Sequence, residues 1–491
     1  QDYALGYNSA TDQLVSVQNG LNALRQIGGD GGEWNWTNTY LNVDYGFRSK
    51  LFLSLNAAVD GSSRFGVKAA DGIKIGDHKF AVSPSIGAAW LISSENFMAK
   101  SGIDLLKLRA TYSITGNDDI GNYTARQTYV SQNLLGMEGL VRSGIANPAL
   151  QWETNHKLNA GLDLSLFNER FIVNFDAYHN KTTNMLVYES LATTTGFSTV
   201  LTNGGSMETN GIDLSLSARI INGKSFKWDL GFNVGKYKNK IVSVPAGRFT
   251  TDYAGATILT ANGGPANQFY GFTTNGVFAS NAAAATSGLR KRNPDGSFTA
   301  FKGGDIQFTD LNGDKVIDDN DRSVIGNANP SWVGGITSHF VYKNFALDAL
   351  FTFSQGNDAF NYLRYKLESV STIENQLMSV NNRWRTDGQV TNTPKATFGD
   401  PMGNSRFSDR WIEDASYFRL RTLSLSYNIP FKPKFFTDAS VYVAANNLFT
   451  LTKYKGYDPE FSARPSVFAQ GIDTGLDPIF QSVTLGVRLG L

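Results

Sequence analysis

The chain has 491 residues, Lys+Arg 44 against Asp+Glu 43, 41% hydrophobic and 12% aromatic residues, and no cysteine. A net charge of +1 argues against a nucleic-acid binder, and the lack of cysteine removes disulfide frameworks, Cys-ligated metal centres and thiol chemistry. No run of about 18 apolar residues occurs, so a transmembrane helix is excluded.

From the N-terminus, Gln1 is preceded by no initiator Met and followed by no basic or apolar leader, as expected of a cleaved chain or one that starts within a longer protein. Period-two alternation then takes over. Leu41, Val43, Tyr45 and Phe47 lead through Arg48-Ser49-Lys50 into Leu51, Leu53, Leu55, Ala57 and Val59. Leu106, Leu108, Ala110, Tyr112 and Ile114 alternate with Lys107, Arg109, Thr111 and Ser113. Leu158 to Leu166 and Phe171 to Ala177 alternate on either side of a short turn at Phe167-Asn168-Glu169-Arg170, which predicts an antiparallel hairpin. The pattern recurs at Ile212–Leu216 with Trp228–Val234, at Phe345–Phe353 and at Val483–Leu491. Between Tyr417 and Asn428 the phase slips from even (Phe418, Leu420) to odd (Leu423, Leu425, Tyr427), which predicts a bulge near Thr422.

These segments amount to about 14 strands in about seven hairpins, many of ten residues or more. Connections alternate between short turns, such as Lys343-Asn344 and Phe431-Lys432-Pro433-Lys434, and long excursions at 183–205, 241–267, 279–304, 355–415 and 451–480. Long strands with short turns at one end and long loops at the other predict an all-β, transmembrane antiparallel barrel. In hydrocarbon every backbone N–H and C=O must be paired, so a spanning sheet closes on itself and needs apolar side chains on one face only. Trp34, Trp36, Trp152, Trp228, Trp332 and Phe345 are placed for interfacial girdles. The other reading of alternation, a soluble sandwich or propeller, fits neither the strand lengths nor the missing blade-sized repeat of about 40 residues.

Several segments resemble the SusC/RagA family of TonB-dependent outer-membrane transporters, typical of Bacteroidetes. DGSSRFG at 60–66 with SPSIGAAWL at 83–91 is similar to an early barrel signature of that family. LQWET at 150–154, GLDL at 161–164 and KTT at 181–183 resemble one of its hairpins, and GSMETNGI at 205–212 one of its junctions. The most specific block is GDIQFTDLNGDKVIDDNDRSVIGNANP at 304–330, followed by RWR at 383–385, RFSDRWIE at 406–413, NNLF at 446–449 and TKYKGYDP at 452–459. The resemblance implies a barrel of ~22 strands, so that residues 1–491 are its C-terminal portion, without the family's plug and N-terminal extension. It also implies outer-membrane import of bulky nutrients, oligosaccharides or peptides. The partners implied are a SusD-like lipoprotein lid, the TonB complex acting through the plug, and outer-membrane lipid. Leu491 departs from the terminal aromatic common in such barrels. Two alternatives stand beside import: a non-transporting scaffold barrel in an envelope complex, and a self-contained porin-like barrel whose first and last strands pair.

Two groups of candidate site residues follow. Asp310, Asn312, Asp314, Asp318 and Asp321, with the Val316 carbonyl, fall at the spacing of a calcium-binding loop. Lys315 stands where such loops carry glycine, and the same residues also suit an Asx-rich turn. In the long excursion, Phe360, Tyr362, Tyr365, Trp384, Arg385, Phe398 and Trp411 are candidates for substrate or lid contact, against simple packing of the loop, with a short amphipathic helix over 360–377. Asp44, Asp163, Asp176, Asp213, Asp229 and Asp348 with Lys107 and Arg109 predict a polar interior. His78, His156, His179 and His339 show no metal-ligand spacing, and no catalytic constellation is legible, so catalysis is not expected.

Overall fold

The alternating segments pair as hairpins because each can bury only one face and satisfies its backbone only through a neighbour. In the computed structural model, residues 2–5, 26–29, 32–134, 137–430, 437–461, 466 and 469–490 are described. The predicted turn at Phe431-Lys432-Pro433-Lys434 and the terminal Leu491 lie outside these residues. One 14-stranded sheet dominates, a 13-strand antiparallel meander with the short strand Ile73–Ile75 off its path. In chain order the meander is β1 (Trp36–Phe47), β2 (Leu51–Ser62), β3 (His78–Leu91), β4 (Ile103–Asn117), β5 (Glu153–Leu166), β6 (Phe171–Ser190) and β7 (Thr199–Asn222). It continues through β8 (Phe226–Ser243), β9 (Trp332–Tyr342), β10 (Phe345–Gln355), β11 (Tyr417–Asn428), β12 (Asp438–Thr452) and β13 (Ser482–Gly490). The end strands β1 and β13 do not pair with each other, so the closure that a self-contained barrel requires is not made.

Register carries each face across the sheet without interruption. Leu106, Leu164, Val173, Leu216, Phe232, Ile336 and Phe351 are successive cross-strand partners on the apolar face. Arg109, Gly161, Asp176, Asp213 and Gly235 are partners on the polar face. The phase slip in β11 has its bulge at Arg421: Leu350 faces Thr422 and Phe351 faces Leu420, which leaves Arg421 without a register partner. The extra residue keeps both Leu420 and Leu423 on the apolar face.

Short turns join the strands at one end. Arg48 and Ser49 both adopt positive φ, as do Phe167, Asn168 and Glu169, the handedness that matches strand twist. Aromatic side chains collect at this end on the apolar face, with Trp228 stacked on Phe340 at 5.2 Å and Phe345 against Tyr427 at 4.7 Å. Trp152 is a correction to the girdle expectation. It is buried at the opposite end, its ring 4.6 Å from Phe65, because the loop that follows β2 packs over it with Phe65 and Gly72.

At the other end the excursions differ from expectation in two places. The 183–205 excursion is mostly strand, since β6 and β7 extend into it and leave only 191–198 as loop. The 241–267 and 279–304 excursions are parts of one long crossing, 244–331, which folds into small sheets of its own and a helix, α1 (Asn281–Ser287). With 356–416 and 453–481 it forms a crown over the loop end. The expected helix over 360–377 is only α2 (Tyr362–Glu368), after which Val370 turns into positive φ. Most of the buried core lies in this crown rather than in the sheet, a smaller cluster of Ile120, Ala125 and Leu150 packing against the ends of β6 and β7. One cluster centres on Phe272, Phe278, Phe301, Ile306 and Phe308, another on Ile258, Phe269, Phe360, Trp411 and Ile472.

Candidate functional site

Two surfaces hold the chemistry: the polar face of the sheet and the crown above it. On the polar face, Arg109 forks onto two carboxylates. Its Nε and Nη2 donate to Asp163 at 2.9 and 2.8 Å, and its Nη1 and Nη2 to Asp176 at 3.0 and 3.1 Å. Gly161 sits beneath the guanidinium, where a Cβ would come within 2.6 Å of it, so glycine makes room for the fork. Lys107 approaches Asp163 at 3.8 Å. Nearer the short turns, Arg219 pairs with Asp229 at 3.2 Å and His339 with Asp348 at 2.5 Å. Asp44 and Asp213 share the face without an ion pair among the described residues. The polar interior expected from the sequence is thus one continuous strip. His156 and His179, on β5 and β6, lie on the apolar face instead, bonded to Tyr112 and Asn210 respectively.

The crown is tied to the wall by Arg419, whose side chain is 1% exposed. Its Nη2 donates to Asp458 at 2.5 Å, its Nη1 to Glu460 at 3.1 Å and its Nε to Thr450 at 2.9 Å. Arg421, displaced by the bulge, adds a bond to Glu460 at 2.6 Å. Sequence reasoning missed this network, because its arginines and carboxylates lie on different segments; the phase slip at Thr422 was its only local trace. Tyr454, donating to Asp473 at 2.7 Å, closes the same loop, and burial together with that carboxylate pushes its phenol well above the usual range.

Of the seven residues expected to contact substrate or lid, the crown gathers four. Phe360 and Trp411 are fully buried, with Tyr362 and Tyr365 packed against them. Phe360 and Trp411 therefore have no surface to offer a ligand: they are the core of the loop, and that expectation is corrected by burial. Trp384 lies over Gly304, where a Cβ would approach its ring to 2.5 Å, and its Nε1 donates to the Ala279 carbonyl at 2.9 Å. Arg385 is exposed and donates to the Asn381 carbonyl at 3.2 Å. Phe398 is free at 78% exposure. Exposed with it on the same excursion are Ile373, Met378 and Val390, none of them singled out from sequence, where lone apolar residues in a loop leave no periodic signal. Two crown arginines, Arg406 and Arg410, have their charge disfavoured by burial, which lowers each to about 10. Arg406 lies between the Phe272 and Phe308 rings at 4.8 and 4.7 Å and donates to the Gly403 and Met402 carbonyls.

The Asp-rich loop uses its oxygens internally. Asp310 accepts from the amides of Gly313 (2.8 Å) and Lys315 (3.0 Å), Asn312 from Asp314 (3.1 Å), and Asp314 from Val316 (2.7 Å). Asp318 caps Asn320 at 2.8 Å, and the fully buried Asp321 accepts from Leu311 and Asp318 at 2.8 and 2.9 Å. Val316 is buried. Among the described residues no three acidic, imidazole or thiol groups are gathered as a metal ion would need. In this arrangement the loop's oxygens are held by its own amides, as in an Asx-rich turn, and no role is assigned to a calcium ion.

The family described as TonB dependent receptor-like, beta-barrel, matches residues 1–448. TonB-dependent receptor P3 of Formosa agariphila is 32% identical across 91% of this chain and 44% of its own length. TonB-dependent receptor SusC of Bacteroides thetaiotaomicron is 27% identical across 91% and 43%. Among solved structures, the RagAB peptide transporter superposes with a TM-score of 0.80 at 25% identity, covering 98% of this chain and 50% of the other. The chain spans about half the length of the curated relatives it matches.

Proposed function

The chain belongs to the TonB-dependent receptor β-barrel family, in its SusC/RagA group, and is an outer-membrane protein; from this we propose that it forms wall and outer crown of an importer for bulky oligomers, oligosaccharides or peptides. Energy enters through TonB acting on a plug that the whole protein supplies. A SusD-like lipoprotein closes over the crown. No catalytic step is assigned to it.

The observation that carries this reading is the division of labour between the two faces of one sheet and the crown. The apolar face suits lipid, and the polar strip of Arg109, Asp163, Asp176 and His339 suits a hydrated lumen. The crown is a folded body with its own core, as a surface that meets a protein lid must be, and Ile373, Met378, Val390 and Phe398 are the apolar tips it offers. RagAB, described as a peptide transporter, favours peptides among the cargo classes.

The test is uptake of labelled oligosaccharides and oligopeptides by cells carrying or lacking the full-length protein, with and without a functional TonB. Import of one cargo class that needs both supports the proposal. Uptake unchanged by loss of the protein, or an ungated ion conductance from the purified full-length protein, would reject it.

A further inference from the structure

Toward the crown, the apolar face of the wall changes character within three residues of a strand. On β8, Phe232 and Val234 are followed on the same face by Lys236, Lys238 and Lys240. Lys181 joins them from β6, two strands away, through its register with Glu208 and, beyond it, Lys240. A lysine row facing hydrocarbon is unfavourable. It becomes favourable at the height where the bilayer presents anionic groups, because each lysine near such a surface attracts it.

The level is marked by Lys236, whose ammonium lies 4.4 Å from the centre of the Trp332 ring, an aromatic of the kind that settles at headgroup depth. The long-loop end of such a barrel faces outward, so this is the outer leaflet. Glu208 is committed to Lys181 at 3.3 Å, while Lys236, Lys238 and Lys240 form no ion pair among the described residues. His179, beside them, bonds Asn210 at 2.7 Å. Directly beside them is a depression of about 440 Å³, floored by the small Ala160 and Ala177 and walled by Leu158 and Ile212.

We infer that this patch binds a phosphorylated, acylated sugar lipid of the outer leaflet, its phosphate on Lys236, Lys238 and Lys240 and an acyl chain against Ala160 and Ala177. Charge complementarity and the adjoining apolar depression together select an amphiphile over a soluble anion. The site lies on the outside of the wall, apart from the cargo path, and its success or failure is independent of what the protein imports.

The experiment uses the full-length protein in a neutral detergent and measures retention of purified lipid A by native mass spectrometry and by titration. The triple variant Lys236→Gln/Lys238→Gln/Lys240→Gln is expected to bind roughly a hundredfold more weakly, about fivefold per lysine. The corresponding triple Lys→Arg variant is expected to bind as the parent does. Unheated electrophoretic mobility reports folding, and Lys238→Gln alone, with about a fivefold loss, replaces the triple variant if that fails to fold. Enzymatically dephosphorylated lipid A is expected to bind the parent as weakly as lipid A binds the triple variant. Equal binding of lipid A to parent and Gln variants, equal binding of the dephosphorylated lipid, or inorganic phosphate binding as tightly as lipid A would each overturn the inference.

Discussion

The wall and the crown come from one chain but solve burial differently. In the wall each strand gives one side chain to each face, so an apolar residue such as Leu158 or Leu425 is half exposed, its other contacts being left to the lipid. In the crown, whose surroundings are water, the same residue types must be enclosed, and Phe360, Phe269, Phe308 and Trp411 are sealed completely. Backbone pairing follows the same divide. The wall satisfies its amides through ladders between neighbouring strands, whereas the crown relies on side-chain acceptors such as Asp310, Asp321 and Asp400. Apolar truncation should therefore be costly in the crown and charge should be costly in the wall.

The sharpest way to break that contrast is Trp411→Ala. Removing a sealed indole that packs edge-on against Tyr365 at 5.5 Å, in the same cluster as Phe360, is expected to cost about 3–5 kcal/mol, confined to the crown. Hydrogen exchange should rise across 356–416 while β4 to β8 keep their protection. Exchange spreading equally into those strands would show that wall and crown are not separable.

Next in size is a pair of neighbours on β7. Leu216→Arg puts a cation on the apolar face near mid-strand, with an expected cost of about 2–4 kcal/mol. Ser215→Arg, one residue away on the polar face, is expected to be near neutral. Urea titration of the refolding barrel measures both, and similar costs would mean that the faces are wrongly assigned.

Arg109→Ala probes the polar strip. It leaves Asp163 and Asp176 facing each other without their cation, and the side chain is 27% exposed, so water offsets part of the loss. A cost of about 1–2 kcal/mol is expected. Arg109→Lys should recover only part of it, because an ammonium lacks the planar fork that reaches both carboxylates. Full recovery by lysine would assign the role to charge alone.

What was legible in the sequence follows the same boundary. Lipid on one side and a polar space on the other impose period two, so the hairpins, the polar strip and even the slip beside Thr422 could be read from residue order. The bulge falls one residue earlier, at Arg421, because that position also serves Glu460. The crown imposes no period. Phe269, Phe360, Trp411 and Ile472 meet only after three loops have crossed, and nothing local to any of them separates a core residue from a ligand contact. The calcium-like spacing at 310–321 shows the limit of pattern alone: the right atoms are present, but which way they point is decided by the loop's own amides. Trp152 failed as a girdle residue for a related reason, since a strand end marks height along the wall but not whether a loop will fold over it.

The smallest effect expected concerns Asp358, where crown loops meet. It accepts from the Asn327 amide at 2.8 Å, yet burial, reinforced by Asp414, raises its pKa above the ordinary carboxylate value. A carboxyl raised in the fold holds its proton longer there than in the unfolded chain. It thus favours folding in acid, and that advantage is lost as pH climbs from the unfolded value through the folded one. Asp358→Asn keeps an acceptor for Asn327 and removes the charge. The melting temperature of the crown in the variant should match the parent in acid, rise above it through the carboxylate range and then run parallel. A variant that instead loses stability as pH rises would mean that the ionised Asp358 contributes a net attraction, and that this junction is held by charge rather than by enclosure.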